Sequence, residues 1–318
     1  MKNRIKIIKN RSDIGAGTRG SDLGVDAIEI AAIVKDNDYF ARFDFVEVLT
    51  ANESIYNKVT NSFGKRIKCV HKQCTRLSDA VENELKQNNF PIVLSGDHSS
   101  ALGTISGIKA ANPDERLGII WIDAHADIHS PYTSPTGNIH GMPLAAAMSE
   151  DNLESRINNV FEETKKYWEA LKNVGCEGAK VLAEDVVYFG VRDTEEAEDL
   201  QIEKLGIKNY MVNEVRFRGL ETCVLEALEK LKNCDSIYIS FDVDSMDCDL
   251  ISNGTGTPVS KGFYHYEIIS IIVNVITSNK VVALEFVEVN PLLDFKGNKM
   301  AEIAFEILDE VTKVLVKK

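Results

Sequence analysis

The chain has 318 residues, 44% hydrophobic and 27% charged, ordinary globular values with enough apolar content for a large core. Acidic residues outnumber basic ones 49 to 36, and the net charge of −13 excludes nucleic acid and anionic membrane surfaces as natural partners. No run approaches the roughly 18 apolar residues that a membrane helix needs.

The opening MKNRIKIIKN alternates charged and apolar side chains, lacks an apolar h-region and is read as no signal peptide. Strands are predicted at 4–8 (RIKII), 43–49 (FDFVEVL), 66–70 (RIKCV), 90–95 (FPIVLS), 117–122 (LGIIWI), 185–191 (DVVYFGV), 236–241 (SIYISF) and 281–289 (VVALEFVEV). Helical periodicity fills 76–88, 99–111, 152–172, 194–205, 219–232, 263–278 and 299–316. Strands alternating with helices predict an α/β fold: a single three-layer αβα domain over 1–318 with a central, mainly parallel, eight-stranded sheet. The charged stretch 150–180 is read as a surface insertion with a helix of its own. Six scattered cysteines without a CxxC pair suit free thiols in a reducing cytoplasm.

In open α/β sheets ligands bind beyond the carboxyl ends of the strands. Here the strand ends bear acids and imidazoles. GDHSS follows FPIVLS, DAHADIH follows LGIIWI, DVDSMD follows SIYISF, and VEVNP follows VVALEF. Alternate residues of an extended chain share a face, so Asp123, His125 and Asp127 converge, as do Asp242 and Asp244. His98 completes a set of two imidazoles and four carboxylates. Four carboxylates held together without cations raise one another's pKa, whereas two divalent cations neutralise them. Mixed oxygen and imidazole ligation suits manganese among the biological divalents, and a metal pair can hold a bridging hydroxide that is nucleophilic at neutral pH.

In SGDHS (95–99), DAHAD (123–127) and SFDVDSMD (240–247) the sequence resembles the ureohydrolase family of arginases, agmatinases and relatives, over nearly the whole chain. The resemblance implies two Mn²⁺ ions. One would be held by His98, Asp123, Asp127 and Asp242, the other by Asp123, His125, Asp242 and Asp244, with Asp123 and Asp242 bridging. SPTGNIHGMP (134–143), GVRDTEEAE (190–198), GTGTPV (254–259) and VEVNP look like the arginase branch. By that likeness the substrate is L-arginine, cleaved to L-ornithine and urea by the metal-bridging hydroxide. Glu288 would pair with the guanidinium, with Thr257 beside it. Asp127 would take the hydroxide's proton and His140 would shuttle protons. His129, Ser134, Thr136, Asn138, Glu195 and Glu198 would face the α-amino and α-carboxylate groups. The family also implies a homo-oligomer, trimer or hexamer.

Three positions depart from the arginase pattern. His129 stands where Asn is usual, Glu195 where Asp is usual, and Cys248 where Pro is usual. The first two belong to the specificity shell, which keeps agmatinase- or guanidinobutyrase-type substrates as the rival reading. A metallophosphoesterase would need the GDH and DxH pieces in the opposite order. A non-catalytic binding relative would be expected to have lost a ligand, and none is lost.

Overall fold

The computed structural model describes residues 4–317, so Met1–Asn3 of the opening stretch and Lys318 lie outside it. In chain order, β1 (Arg4–Asn10) leads through α1 (Gly24–Val34) and α2 (Tyr39–Arg42) to β2 (Phe45–Glu47). Next come α3 (Ile67–Lys86), β3 (Asn89–Ser95), α4 (Ala101–Ala111) and β4 (Leu117–Ile122). Then follow α5 (Pro143–Met148), α6 (Glu162–Lys172), β5 (Val186–Phe189), α7 (Glu196–Leu205) and β6 (Lys208–Tyr210). The chain ends with α8 (Val212–Arg218), α9 (Leu220–Lys230), β7 (Ser236–Asp242), α10 (His265–Ile276), β8 (Val281–Val287) and α11 (Lys299–Lys317).

The eight strands form one sheet in the order β2-β1-β3-β8-β7-β4-β5-β6, and every pairing is parallel. Parallel pairing puts helices on both faces, so the strands are apolar at nearly every position. Alternate strand residues divide between two cores. Ile7, Leu94, Ile120 and Ile239 pack under α1, α9, α10 and α11. Ile8, Val93, Trp121 and Tyr188 pack under α3, α4, α5 and α6. Within 150–180, α6 sends the fully buried Trp168 and Leu171 into that second core, and Asp151 accepts from the Trp168 indole at 2.7 Å. All six cysteines are free. Among the described residues no helix is long and apolar enough to cross a membrane.

Several elements differ from expectation. RIKCV (66–70) is the first turn of α3, not a strand. Its short alternation is overridden by the longer buried stripe of Ile67, Val70, Cys74, Leu77 and Val81, which has helical spacing. The eighth strand is instead β6, three residues at the sheet edge, too short for a periodic signal. Helix α1 carries no periodic signal, being apolar around much of its circumference. The 152–172 stretch is helical only from Glu162 apart from a 3₁₀ turn, Leu153–Ser155.

Candidate active site

The four central strands, β3, β8, β7 and β4, are neighbours, and their carboxyl ends deliver the acids and imidazoles to one place. After β3, Asp97 caps the 3₁₀ turn His98–Ser100 by accepting from Ser99 N at 2.8 Å, and its other oxygen accepts from Gly15 N at 2.9 Å. This fixes His98. After β4 the chain does not continue as a strand. Asp123 accepts from His125 N at 2.7 Å, and Asp127 adopts a left-handed backbone, φ 50°. A side-chain turn and one strained residue, rather than extended alternation, thus aim Asp123, His125 and Asp127 inward. β7 ends on Asp242, which accepts from Asp244 N at 2.8 Å. Beyond β8, Glu288 is also left-handed, φ 66°, and its N–H donates to Gly96 O at 2.7 Å.

The result is a tight buried cluster. His98 Nδ1 lies 3.0 Å from Asp123 Oδ2, 3.0 Å from Asp127 Oδ2 and 3.2 Å from Asp242 Oδ2. His125 Nδ1 lies 2.9 Å from Asp244 Oδ2 and 3.6 Å from Asp123 Oδ1. One imidazole nitrogen cannot donate to three carboxylates. Although close, His98 Nδ1 and Asp123 Oδ2 make no hydrogen bond of acceptable geometry. Orphaned buried atoms converging from an oxygen and nitrogen donor set fit divalent cations, as do the groupings His98–Asp123–Asp127 and Asp123–His125–Asp244.

The electrostatics without cations point the same way. Burial and neighbouring carboxylates push Asp127 and Asp242 up, and burial with Asp123 pushes Asp244 up to about 6. Burial opposes charge on His98 and His125, but the surrounding aspartates hold both well above the ordinary imidazole range.

Above the cluster opens a cavity of about 510 Å³. Every candidate ligand, catalytic and substrate residue read from the sequence lines it except Asp123, which is fully buried beneath. Glu288 Oε1 accepts from His98 N at 2.9 Å and from His140 Nδ1 at 3.1 Å. Burial works against charge on His140, but Glu288, with Asp127 and Asp97, raises its pKa to about 9. Thr257 donates to Asp244 Oδ2 at 3.2 Å.

At the mouth, His129 has both ring nitrogens engaged, Nδ1 with Thr133 Oγ1 at 3.0 Å and Nε2 with Glu195 Oε2 at 3.0 Å. That hydrogen bond holds Glu195 down to about 2, while burial keeps Glu198 well above the carboxylate range. The two glutamates also form the capping box of α7.

The loop 134–140 is built for exposure to the cavity. Gly137 N donates to Ser134 Oγ at 2.9 Å, and Asn138 N to Thr136 Oγ1 at 3.2 Å. Asn138 Oδ1 accepts from Lys65 Nζ at 3.1 Å. Sequence reasoning missed Lys65, which sits in no motif. It also missed Asp193, which lines the cavity with its Oδ2 3.5 Å from His125 Nε2. Arg192 was missed too. Its guanidinium donates to the carbonyls of Gly190, Asp244, Val259 and Ser260, locking the Asp244 turn. Only the RDTEE spelling hinted at these last two.

Known proteins resemble the chain along nearly its whole length. Residues 3–313 match the model of the Arginase family. The arginase of Bacillus caldovelox is 33% identical over 307 residues, covering 96% of each chain. The arginase of Bacillus subtilis is 32% identical over 314 residues, covering 98% of each. The solved structure of the Bacillus caldovelox arginase superposes with a TM-score of 0.83 at 32% identity, covering 97% of this chain and 98% of that one.

Proposed function

The chain belongs to the arginase family and is a hydrolase of that family, and from that premise we propose that it hydrolyses L-arginine to L-ornithine and urea with two Mn²⁺ ions. His98, Asp123, Asp127 and Asp242 would hold one ion, and Asp123, His125, Asp242 and Asp244 the other. When bound, such a pair lowers the pKa of water and supplies a nucleophile at neutral pH.

The observation that carries the substrate reading is Glu288. Its Oε1 is taken by His98 and His140, while its Oε2 accepts no hydrogen bond among the described residues and lies beside Gly256 at the cavity wall. A carboxylate oxygen left open next to four clustered aspartates suits a planar guanidinium, with charge-assisted hydrogen bonds orienting its carbon toward the attacking water. Asp127 receives the proton of that water and returns it to the leaving nitrogen as the C–N bond breaks. His140 keeps Nδ1 on Glu288, so proton exchange with solvent falls to Nε2. Ser134, Thr136 and Asn138 receive the α-carboxylate, and Glu195 and Glu198 the α-ammonium.

The test is urea release from L-arginine beside agmatine and guanidinobutyrate, after chelation and reloading with Mn²⁺. Urea from arginine alone, abolished without metal, is the expected result. Urea from agmatine or guanidinobutyrate instead would keep the hydrolase and overturn the assignment of the mouth. No urea from any of them would overturn the reaction.

A further inference from the structure

Directly beneath the cluster lies a carboxylate that the reaction does not use. Glu285, in the middle of β8, is fully buried, and none of the contacts the structure gives it is to a cation. Its Oε1 accepts from Ser95 Oγ and Ser100 Oγ, each at 2.7 Å, and its Oε2 from the Tyr238 hydroxyl at 2.6 Å. In the β7–β8 register Ser240 stands directly across from Glu285, on the same face of β7 as Tyr238 two residues earlier. Ser240 Oγ in turn lies 2.7 Å from His98 Nε2. On its other side the His98 ring is stacked on Trp121, with centroids 4.1 Å apart and planes 7° from parallel, so it has no freedom to turn.

Such a row of groups has a direction. The hydroxyls of Ser95, Ser100 and Tyr238 all donate to Glu285, so Tyr238 spends its single proton there. Its oxygen is then left to accept from Ser240, and the Ser240 oxygen to accept from His98 Nε2–H. A proton on Nε2 leaves the lone pair on Nδ1, the atom that faces Asp123, Asp127 and Asp242. We infer that Glu285, acting through Tyr238 and Ser240, is the positioning residue that fixes the tautomer of His98 and so readies Nδ1 as a metal ligand. Burying an uncompensated carboxylate is costly, and this role gives a reason for one in the apolar heart of the sheet. The inference rests on the metal-binding reading of the cluster.

The experiment measures Mn²⁺ affinity and stoichiometry of the purified protein by EPR of free Mn²⁺, with thermal melting alongside. Glu285→Gln can donate to the Tyr238 oxygen and permits the row to reverse. Tyr238→Phe interrupts it without touching the carboxylate. Each is expected to weaken one of two Mn²⁺ ions by about tenfold, the lower range for loss of an outer partner of a ligand. The double variant is expected to lose no more than either single one, because the residues act in series. Ser95→Ala removes a donor to Glu285 that lies off this path, and its Mn²⁺ affinity should stay within about twofold of wild type even if it melts earlier. Wild-type affinity in Tyr238→Phe, or an equal loss in Ser95→Ala, would overturn the inference and leave Glu285 as a fold-holding group. If Glu285→Gln does not fold, Tyr238→Phe and Ser95→Ala decide alone. A wild-type protein that binds no Mn²⁺ would instead overturn the metal reading beneath it.

Discussion

His129 Nε2 is bonded to Glu195 Oε2 at 3.0 Å, and with Nδ1 on Thr133 the ring has no donor left for a substrate. His129→Asn should release Glu195 and present an amide toward the cavity. One added hydrogen bond is worth about 1 kcal/mol, or roughly fivefold, so KM for L-arginine is expected to fall by about that factor with kcat little changed. Steady-state kinetics checks it; a raised KM would mean that His129 itself touches the carboxylate.

Lys65 can only donate, so the Asn138 oxygen must face it, and the amide Nδ2 turns toward Gly17, whose missing Cβ leaves room. Lys65→Met removes both this orientation and the positive charge behind it. The expected result is a KM for L-arginine higher by about fivefold, with agmatine, which has no carboxylate, unaffected. An equal rise for both substrates would make Lys65 a loop anchor only.

Gly137 has φ 72°, and a Cβ there would stand 1.9 Å from Ser62 O. Gly137→Ala therefore meets both a left-handed backbone and a backbone clash. A loss of about 2 kcal/mol or more by denaturant unfolding is expected, with kcat/KM falling because the 134–140 loop is displaced.

In the metal-free protein, His140 has a folded pKa of about 9, raised mainly by Glu288 against the effect of burial. A raised imidazole stabilises fully below its unfolded value near 6.5, and the contribution disappears as pH rises through 9. The melting temperature of wild type should thus exceed that of His140→Asn at pH 6, with the gap closing by about pH 10. Divalent cations in the neighbouring cluster should lower this pKa, which histidine NMR with diamagnetic Zn²⁺ would show.

Asp244, at about 6, and the raised Asp127 and Asp242 behave likewise when no metal is bound. Their neutral forms are the tolerated ones, so the metal-free fold should lose stability as pH rises through 6. Ligand deprotonation favours metal at the same time. The gain in melting temperature on adding Mn²⁺ is accordingly expected to grow between pH 5 and 7.5. A gain independent of pH would mean that these aspartates do not bind the ion.

The site was legible because its residues sit at strand ends, where an apolar run gives way abruptly to acids and imidazoles. The wholly buried LGIIWI, followed at once by Asp123, is the clearest case. What could not be read was orientation. Asp127 and Glu288 depend on left-handed backbones, and no residue pattern announces a φ of 50° or 66°. Partners far apart in sequence, such as Lys65 with Asn138 or Glu285 with Tyr238, were invisible for the same reason: each pairing exists only through tertiary structure. The strand count of eight came out right while one member was wrong, since the local alternation of 66–70 lost to a twenty-residue helix and an edge strand too short to signal took its place.

The order of the sheet also dictates when the site can exist. Among the described residues β8 comes after every other strand in the chain, yet it lies between β3 and β7. Until residues 281–287 emerge, the strand that leads to His98 and the strand that leads to Asp242 have unpaired facing edges, the kind of surface that invites wrong pairing. Glu288, which braces His98 from 190 residues away, arrives only after them. Ion capture would therefore wait for residues 281–288, and a product truncated before them is expected to hold no metal.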